Sequence, residues 1–305
     1  MSTSGNGKIG AVSLADGAAA QASSSGASIE RYRSAEHPTW CPGCGDFGAL
    51  NAVYRALQLN NYDPAEVVAV SGIGCSSRLP YFLATYGFHS VHGRAMPGAT
   101  GIKVANPDLK VLAIGGDGDA FAIGAGHTIH ALRRNVDICY VVLDNSIYGL
   151  TKGQTSPTSP LGFASKTTPR GSADQPVNPL LLALACGATY VARGFSGRAR
   201  ELAELIARGM EHKGFAFIEV LSPCPTFNKV NTFKSYRDLV ADLPADHDTS
   251  SQVEALRLAT LDEPLYLGVF YEVMRPTFVD HIVCQRSGEE SDRSKVLAEL
   301  FERFG

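Results

Sequence analysis

Short apolar runs that each stop at a glycine-rich or polar turn constrain this chain more than any other feature. Residues 67–70 run into Ser71-Gly72-Ile73-Gly74-Cys75, and residues 110–114 into Gly115-Gly116-Asp117-Gly118-Asp119. A third run, 138–143, ends at Asp144-Asn145, and a fourth covers Phe215–Leu221. Segments of helical spacing lie around them: Leu50, Val53, Tyr54 and Leu57, with Asp46 as N-cap; residues 121–133; and Leu202, Leu205, Ile206 and Met210. Strands that are apolar throughout must be covered on both faces. The expected fold class is therefore α/β: an open, mostly parallel sheet with helices on both faces.

Ligands of such sheets collect beyond the carboxyl ends of the strands. Both glycine turns and the Asp144-Asn145 pair fall there, which predicts one site rather than three unrelated loops. Residues 1–29 stand apart. Ser, Ala and Gly supply 19 of the first 28 positions, too little apolar surface to offset the entropy of ordering, so a flexible arm is expected. A cofactor-binding domain is expected over 30–232 and a C-terminal extension over 233–305. The net charge of -3 gives no bulk attraction to nucleic acid. No apolar run approaches the ~18 residues of a membrane span, and no secretory signal is recognisable at the start, so the cytoplasm is the expected location.

Seven cysteines without an export signal point to metal ligands or free thiols rather than disulfides. Cys41 and Cys44 form a CxxC, and Cys75 and Cys224 also lie in Gly/Pro-rich loops. Loop backbone there can wrap an inorganic group and donate N–H bonds to its sulfurs. Cys139 inside a strand, Cys186 at a helix end and Cys284 after an apolar run read as structural thiols. Four thiolates suit zinc and a [4Fe-4S] cluster alike. A zinc-stapled binding module is thus a rival from another class.

Gly116-Asp117-Gly118 follows one strand, and Asn145 ends the next. Backbone N–H groups at a glycine turn can approach a diphosphate. Asp117, the side-chain oxygen of Asn145 and the carbonyl of Ile147 are oxygen ligands suited to Mg2+. A nicotinamide-binding GxGxxG does not fit, because Phe121 stands where its last glycine is required.

The Gly-Asp-Gly and the later asparagine resemble the thiamine diphosphate signature, with Asp144 replacing the first of the usual two asparagines. Trp40-Cys41-Pro42-Gly43-Cys44-Gly45, Gly72-Ile73-Gly74-Cys75-Ser76, His92-Gly93-Arg94, Gly116-Asp117-Gly118-Asp119 and Tyr148-Gly149-Leu150-Thr151-Lys152-Gly153-Gln154 resemble, in order, the beta subunit of 2-oxoacid:ferredoxin oxidoreductases. The resemblance implies thiamine diphosphate with Mg2+ on Asp117, Asn145 and Ile147, and a [4Fe-4S] cluster on Cys41, Cys44, Cys75 and Cys224. It further implies that Cys44, Ser76, His92, Gly116, Gly118, Asp119, Tyr148, Gly149, Leu150 and Thr151 lie around the cofactor. Coenzyme A is the implied cosubstrate, ferredoxin the electron acceptor and an alpha subunit the partner.

Thiamine chemistry needs a carboxylate at the cofactor's aminopyrimidine ring, usually a glutamate. Residues 67–200 contain no Glu, so no catalytic residue is identified on this chain and the activating Glu is expected on the partner. Arg78 is a candidate for the distal carboxylate of 2-oxoglutarate, because arginine binds carboxylates bidentately and relatives accepting that acid resemble this chain in a basic residue here. Lys152 is a second substrate candidate. Pyruvate is the alternative acid.

Overall fold

The computed structural model describes residues 28–286, 298–299 and 301–303; the expected arm, apart from its last two residues, and the side chain of Cys284 lie outside them. Eight strands form one sheet: β1 (Val67–Ser71), β2 (Tyr86–His89), β3 (Lys110–Gly116), β4 (Ile138–Asp144), β5 (Tyr190–Phe195), β6 (Phe215–Leu221), β7 (Val240–Asp242) and β8 (Leu265–Glu272). Their order is β2-β1-β3-β4-β6-β5-β8-β7. Neighbours run parallel except at β5–β8, which is antiparallel. This is the expected α/β architecture. The helices are α1 (Asp46–Leu59), α2 (Ala95–Ala105), α3 (Asp117–Phe121), α4 (Ala125–Arg133), α5 (Pro179–Ala185), α6 (Ala199–Glu211), α7 (Phe233–Leu239), α8 (Gln252–Ala259) and α9 (Phe278–Arg286).

Alternate strand residues enter two separate cores, as the period of two requires. Val67, Ala69, Leu112, Ile114, Val141 and Ile218 pack beneath α1 and α6. Val68, Val70, Val111, Ala113, Val142 and Phe217 pack beneath α2, α4, α5 and α8. The segment from residue 233 continues the same sheet, with β8 lying antiparallel to β5 and β7 closing that edge.

Two local expectations change. The helix over 121–133 is interrupted at residues 122–124, where Ala122 leaves helical geometry at φ -92° and ψ -105° and Gly124 then packs close on the Asp119 carbonyl. Asp46 is the first helical residue rather than the cap, and its carboxylate accepts from Ser222 Oγ at 2.9 Å. β2 escaped the sequence analysis because Tyr-Gly-Phe-His is an exposed edge without an apolar run. Lys103, itself buried, places Nζ 2.8 Å from the Asp137 carboxylate. Among the described residues no helix is long and apolar enough to cross a membrane.

Candidate active site

β1, β3, β4 and β6 are consecutive neighbours in the sheet, so the loops leaving their carboxyl ends crowd together. The loop after β1 carries Cys75 and Ser76. The turn after β3 carries Asp117, Gly118 and Asp119, the loop after β4 carries residues 145–154, and the loop after β6 carries Cys224. Cys41 and Cys44 arrive from the other direction, ahead of α1. Gly45 donates its N–H to the Pro223 carbonyl at 3.0 Å, and Trp40 Nε1 donates to the Cys75 carbonyl at 2.7 Å. These two bonds fasten the CxxC segment to the ends of β6 and β1.

The loops enclose two adjoining cavities. One, of about 390 Å³, is lined by Ser76, His92, Gly116, Asp117, Gly118, Asp119, Asn145, Ile147 and residues 148–151. The structure thus brings together every residue expected around the cofactor except Cys44, and adds Cys75, expected as a cluster ligand, to the wall. Cys44 lies instead in the second cavity, of about 230 Å³, with Cys41, Cys75 and Cys224. Cys75, Asn145, Gly149 and Leu150 line both. Gly149 stands between the thiols: a Cβ on it would lie 3.6 Å from Cys224 Sγ and 3.7 Å from Cys75 Sγ. Among the described residues no three Cys, His, Asp or Glu side chains converge as ligands of a single metal ion. The four thiols surround a space rather than a point.

Burial governs the acid–base state of both cavities. It pushes the Cys75 thiol up to about 12, reinforced by Asp46, Cys224 and Cys41 and opposed by Arg78. Cys44 is held well above its ordinary value, by burial first and then by Asp46. Without a cation these thiols keep their protons, and a bound cation must displace them. Burial also lifts Asp117 to about 6 and Asp144 well above the usual carboxylate range. Thr158 Oγ1 lies 3.0 Å from Asp117 Oδ2 and 2.8 Å from Asp144 Oδ1, and its single hydrogen serves one of them. Asp144 Oδ1 also accepts from Ser146 N at 2.8 Å, so this side chain caps the turn that follows β4.

Gly118 is required less for open backbone than for packing. A Cβ there would fall 2.2 Å from the ring of Tyr148. Asp119 is nearly fully buried and its Oδ1 accepts from Ile73 N at 2.9 Å, Gly93 N at 2.7 Å and His92 Nδ1 at 3.1 Å. It knots the β1 loop to the His92 turn across the cavity. Asp119→Ala strands these donors, at a cost of about 3 kcal/mol. The expected result is a lower urea midpoint with an unchanged slope; an unchanged midpoint would show that the knot bears no load.

Arg78 lines a third cavity, of about 630 Å³, which adjoins the first through Ile73, Gly74 and Leu150. It also borders the cysteine cavity, and among the described residues no carboxylate pairs with it. Lys152, in left-handed backbone at φ 78°, borders the cysteine cavity and not the first one. Sequence reasoning missed Thr158 and Asn228, isolated polar residues in loops with no motif to mark them.

Comparison with known proteins agrees with this geometry. The family described as thiamine pyrophosphate enzyme, C-terminal TPP binding domain, matches residues 72–220. The family described as the C-terminal part of the pyruvate ferredoxin oxidoreductase beta subunit matches residues 224–286. The 2-oxoacid:ferredoxin oxidoreductase subunit beta of Saccharolobus solfataricus is 41% identical over 262 residues, covering 81% of this chain and 86% of that protein. Subunit beta of the 2-oxoacid:ferredoxin oxidoreductase 1 of Aeropyrum pernix is 46% identical over 290 residues, covering 91% of each. The chain belongs to this family of beta subunits. Among solved structures, it is similar to 2-oxoglutarate:ferredoxin oxidoreductase from Magnetococcus marinus with 2-oxoglutarate, coenzyme A and succinyl-CoA bound. The TM-score is 0.87 and the identity 48%, covering 90% of this chain and 96% of that one. The resemblance of the five motifs is thereby upheld.

Proposed function

We propose that this chain, together with an alpha subunit, carries out the coenzyme A-dependent oxidative decarboxylation of 2-oxoglutarate to succinyl-CoA and CO2, passing electrons to ferredoxin in the cytoplasm. The observation that carries the reading is the shared wall: Cys75, Asn145 and Gly149 line both the Gly-Asp cavity and the four-thiol cavity. An organic cofactor in the first would lie directly against an inorganic one in the second.

The residues fit both groups. Asp117, Asn145 and the carbonyl of Ile147 would hold Mg2+. The N-cap of α3 is Gly116, whose lack of a side chain leaves the first turn of the helix open toward the cavity for a diphosphate. Cys41, Cys44, Cys75 and Cys224 would hold a [4Fe-4S] cluster, whose bulk suits a 230 Å³ cavity better than zinc does. When bound, thiamine diphosphate supplies the carbon nucleophile for the keto group, and the cluster supplies one-electron transfer. His92, fixed by Asp119, and Tyr148, whose hydroxyl lies 3.3 Å from the Gly118 carbonyl, shape the cavity around the reacting end.

Arg78 would bind the distal carboxylate, since its cavity begins where the first one ends. Lys152 remains the candidate for a second carboxylate contact at the rim. The test is viologen reduction by the anaerobically co-purified complex with coenzyme A. Arg78→Ile removes a charge-assisted contact of about 2 kcal/mol, which is roughly a 30-fold rise in KM for 2-oxoglutarate. Pyruvate turnover should be unaffected. Equal effects on the two acids would overturn the role of Arg78, and reduction with pyruvate alone would reassign the substrate to pyruvate.

A further inference from the structure

We propose that Asn228 is a positioning residue that joins the cysteine loop to the metal-binding turn, so that affinity for Mg2+ depends on its side-chain amide. The inference rests on the cofactor reading above and adds a residue outside every cavity lining.

Asn228 is fully buried, and its backbone N–H, its Oδ1 and its Nδ2 are all engaged. Its backbone N–H donates to the Cys224 carbonyl at 3.0 Å, which closes the loop that carries that thiol. Its Oδ1 accepts from Val230 N and Asn231 N, both at 3.0 Å, folding the chain onward. Its Nδ2 then crosses to another loop and donates to the Asn145 carbonyl at 3.0 Å. That carbonyl belongs to the same planar peptide as the Ser146 nitrogen. Ser146 has a φ of 54°, an uncommon conformation for a side-chain-bearing residue that persists only where surroundings enforce it. Asn228 enforces it from one side, and Ser159 Oγ, donating to the Ser146 carbonyl at 2.7 Å, from the other. The turn so held fixes the directions of the Asn145 side chain and of the Ile147 carbonyl, two of the three Mg2+ ligands.

Asn228→Asp separates the bond to Asn145 from the local fold, because it keeps the Oδ1 acceptor and loses the Nδ2 donor. In the anaerobic complex of this subunit with its alpha partner, the Asp variant should retain wild-type iron. Its half-saturating Mg2+ concentration for viologen reduction should rise roughly 10-fold, as loss of an outer partner of a metal ligand does. Turnover should recover at high Mg2+, and KM for the 2-oxoacid should stay constant. Lys229→Ala, which removes only the contact of Lys229 with the Pro225 carbonyl, should leave the Mg2+ dependence unchanged. Half-saturation of Asn228→Asp within about two-fold of wild type would overturn the inference, as would lost activity that Mg2+ does not restore. A wild-type complex without iron and indifferent to Mg2+ would instead overturn the cofactor reading itself, and Asn228's role with it.

Discussion

Purified without its partner, the beta subunit is expected to turn over no 2-oxoacid even when loaded with thiamine diphosphate, Mg2+ and iron. A positioned proton-transfer group contributes about 10²–10⁴-fold to an enzymatic rate, and this chain has none to spare. Among the described residues two carboxylates line the Gly-Asp cavity, Asp117 and Asp119. Asp117 is the proposed ligand of the cation, and Asp119 is fixed through Oδ1 by two backbone N–H groups and His92. Residues 67–200 hold no glutamate, and the one glutamate nearby, Glu36, lines the neighbouring Arg78 cavity instead. The comparison is viologen reduction by the lone chain and by the complex at equal cofactor loading. Turnover by the lone chain within about tenfold of the complex would refute the argument. A complete loss on Glu36→Gln in the complex would locate the missing carboxylate on this chain after all.

Cys75→Ala should have an effect of similar size through a different group. Cys75 borders both cavities, and its loop is anchored by Trp40. Removing one of four thiolates opens the cluster to loss, so iron should fall from about four atoms per chain toward none. The brown colour should disappear and viologen reduction drop to background, while thiamine diphosphate still binds. Cys139→Ala is the matched control. That thiol is buried within β4 on the α6 side of the sheet, so the change should lower stability by about 1 kcal/mol and leave iron intact. Zinc in place of iron, in a colourless protein that binds no thiamine diphosphate, would restore the stapled-module reading.

Much of the site was legible because its chemistry sits in short contiguous motifs. Residues 115–119 announce a strand end and a polar turn, and 148–154 a second loop. The fold class followed from unbroken apolar runs, whose buried strands the structure places as expected. Elements without that signal were lost. β2 exposes all four of its residues, and β8 is only partly buried along its length, so neither shows the pattern of a covered strand. The break after α3 was hidden for a similar reason. The spacing of residues 121–133 is helical, and the departure of the backbone at Ala122 leaves no mark in that spacing. Thr158 and Asn228 are single polar residues whose meaning depends on Asp117, Asp144 and Asn145, far away in sequence.

The sequence by itself determined which residues end strands, which thiols sit in loops and which carboxylates the chain lacks. These are local properties, set by burial patterns, turn chemistry and composition. The tertiary structure decided that β1, β3, β4 and β6 lie side by side. Strand neighbours are only ~5 Å apart, so that order gathers the loops after all four strands at one end of the sheet, where a Cβ on Gly149 would lie 3.6 Å from Cys224 Sγ and 3.7 Å from Cys75 Sγ. It also divided one expected site into two cavities with a common wall, and placed Cys44, expected at both groups, in the cysteine cavity alone. No spacing along the chain encodes that division. It follows from long-range pairing, whose partners are chosen by the packing of the whole sheet rather than by any segment of it.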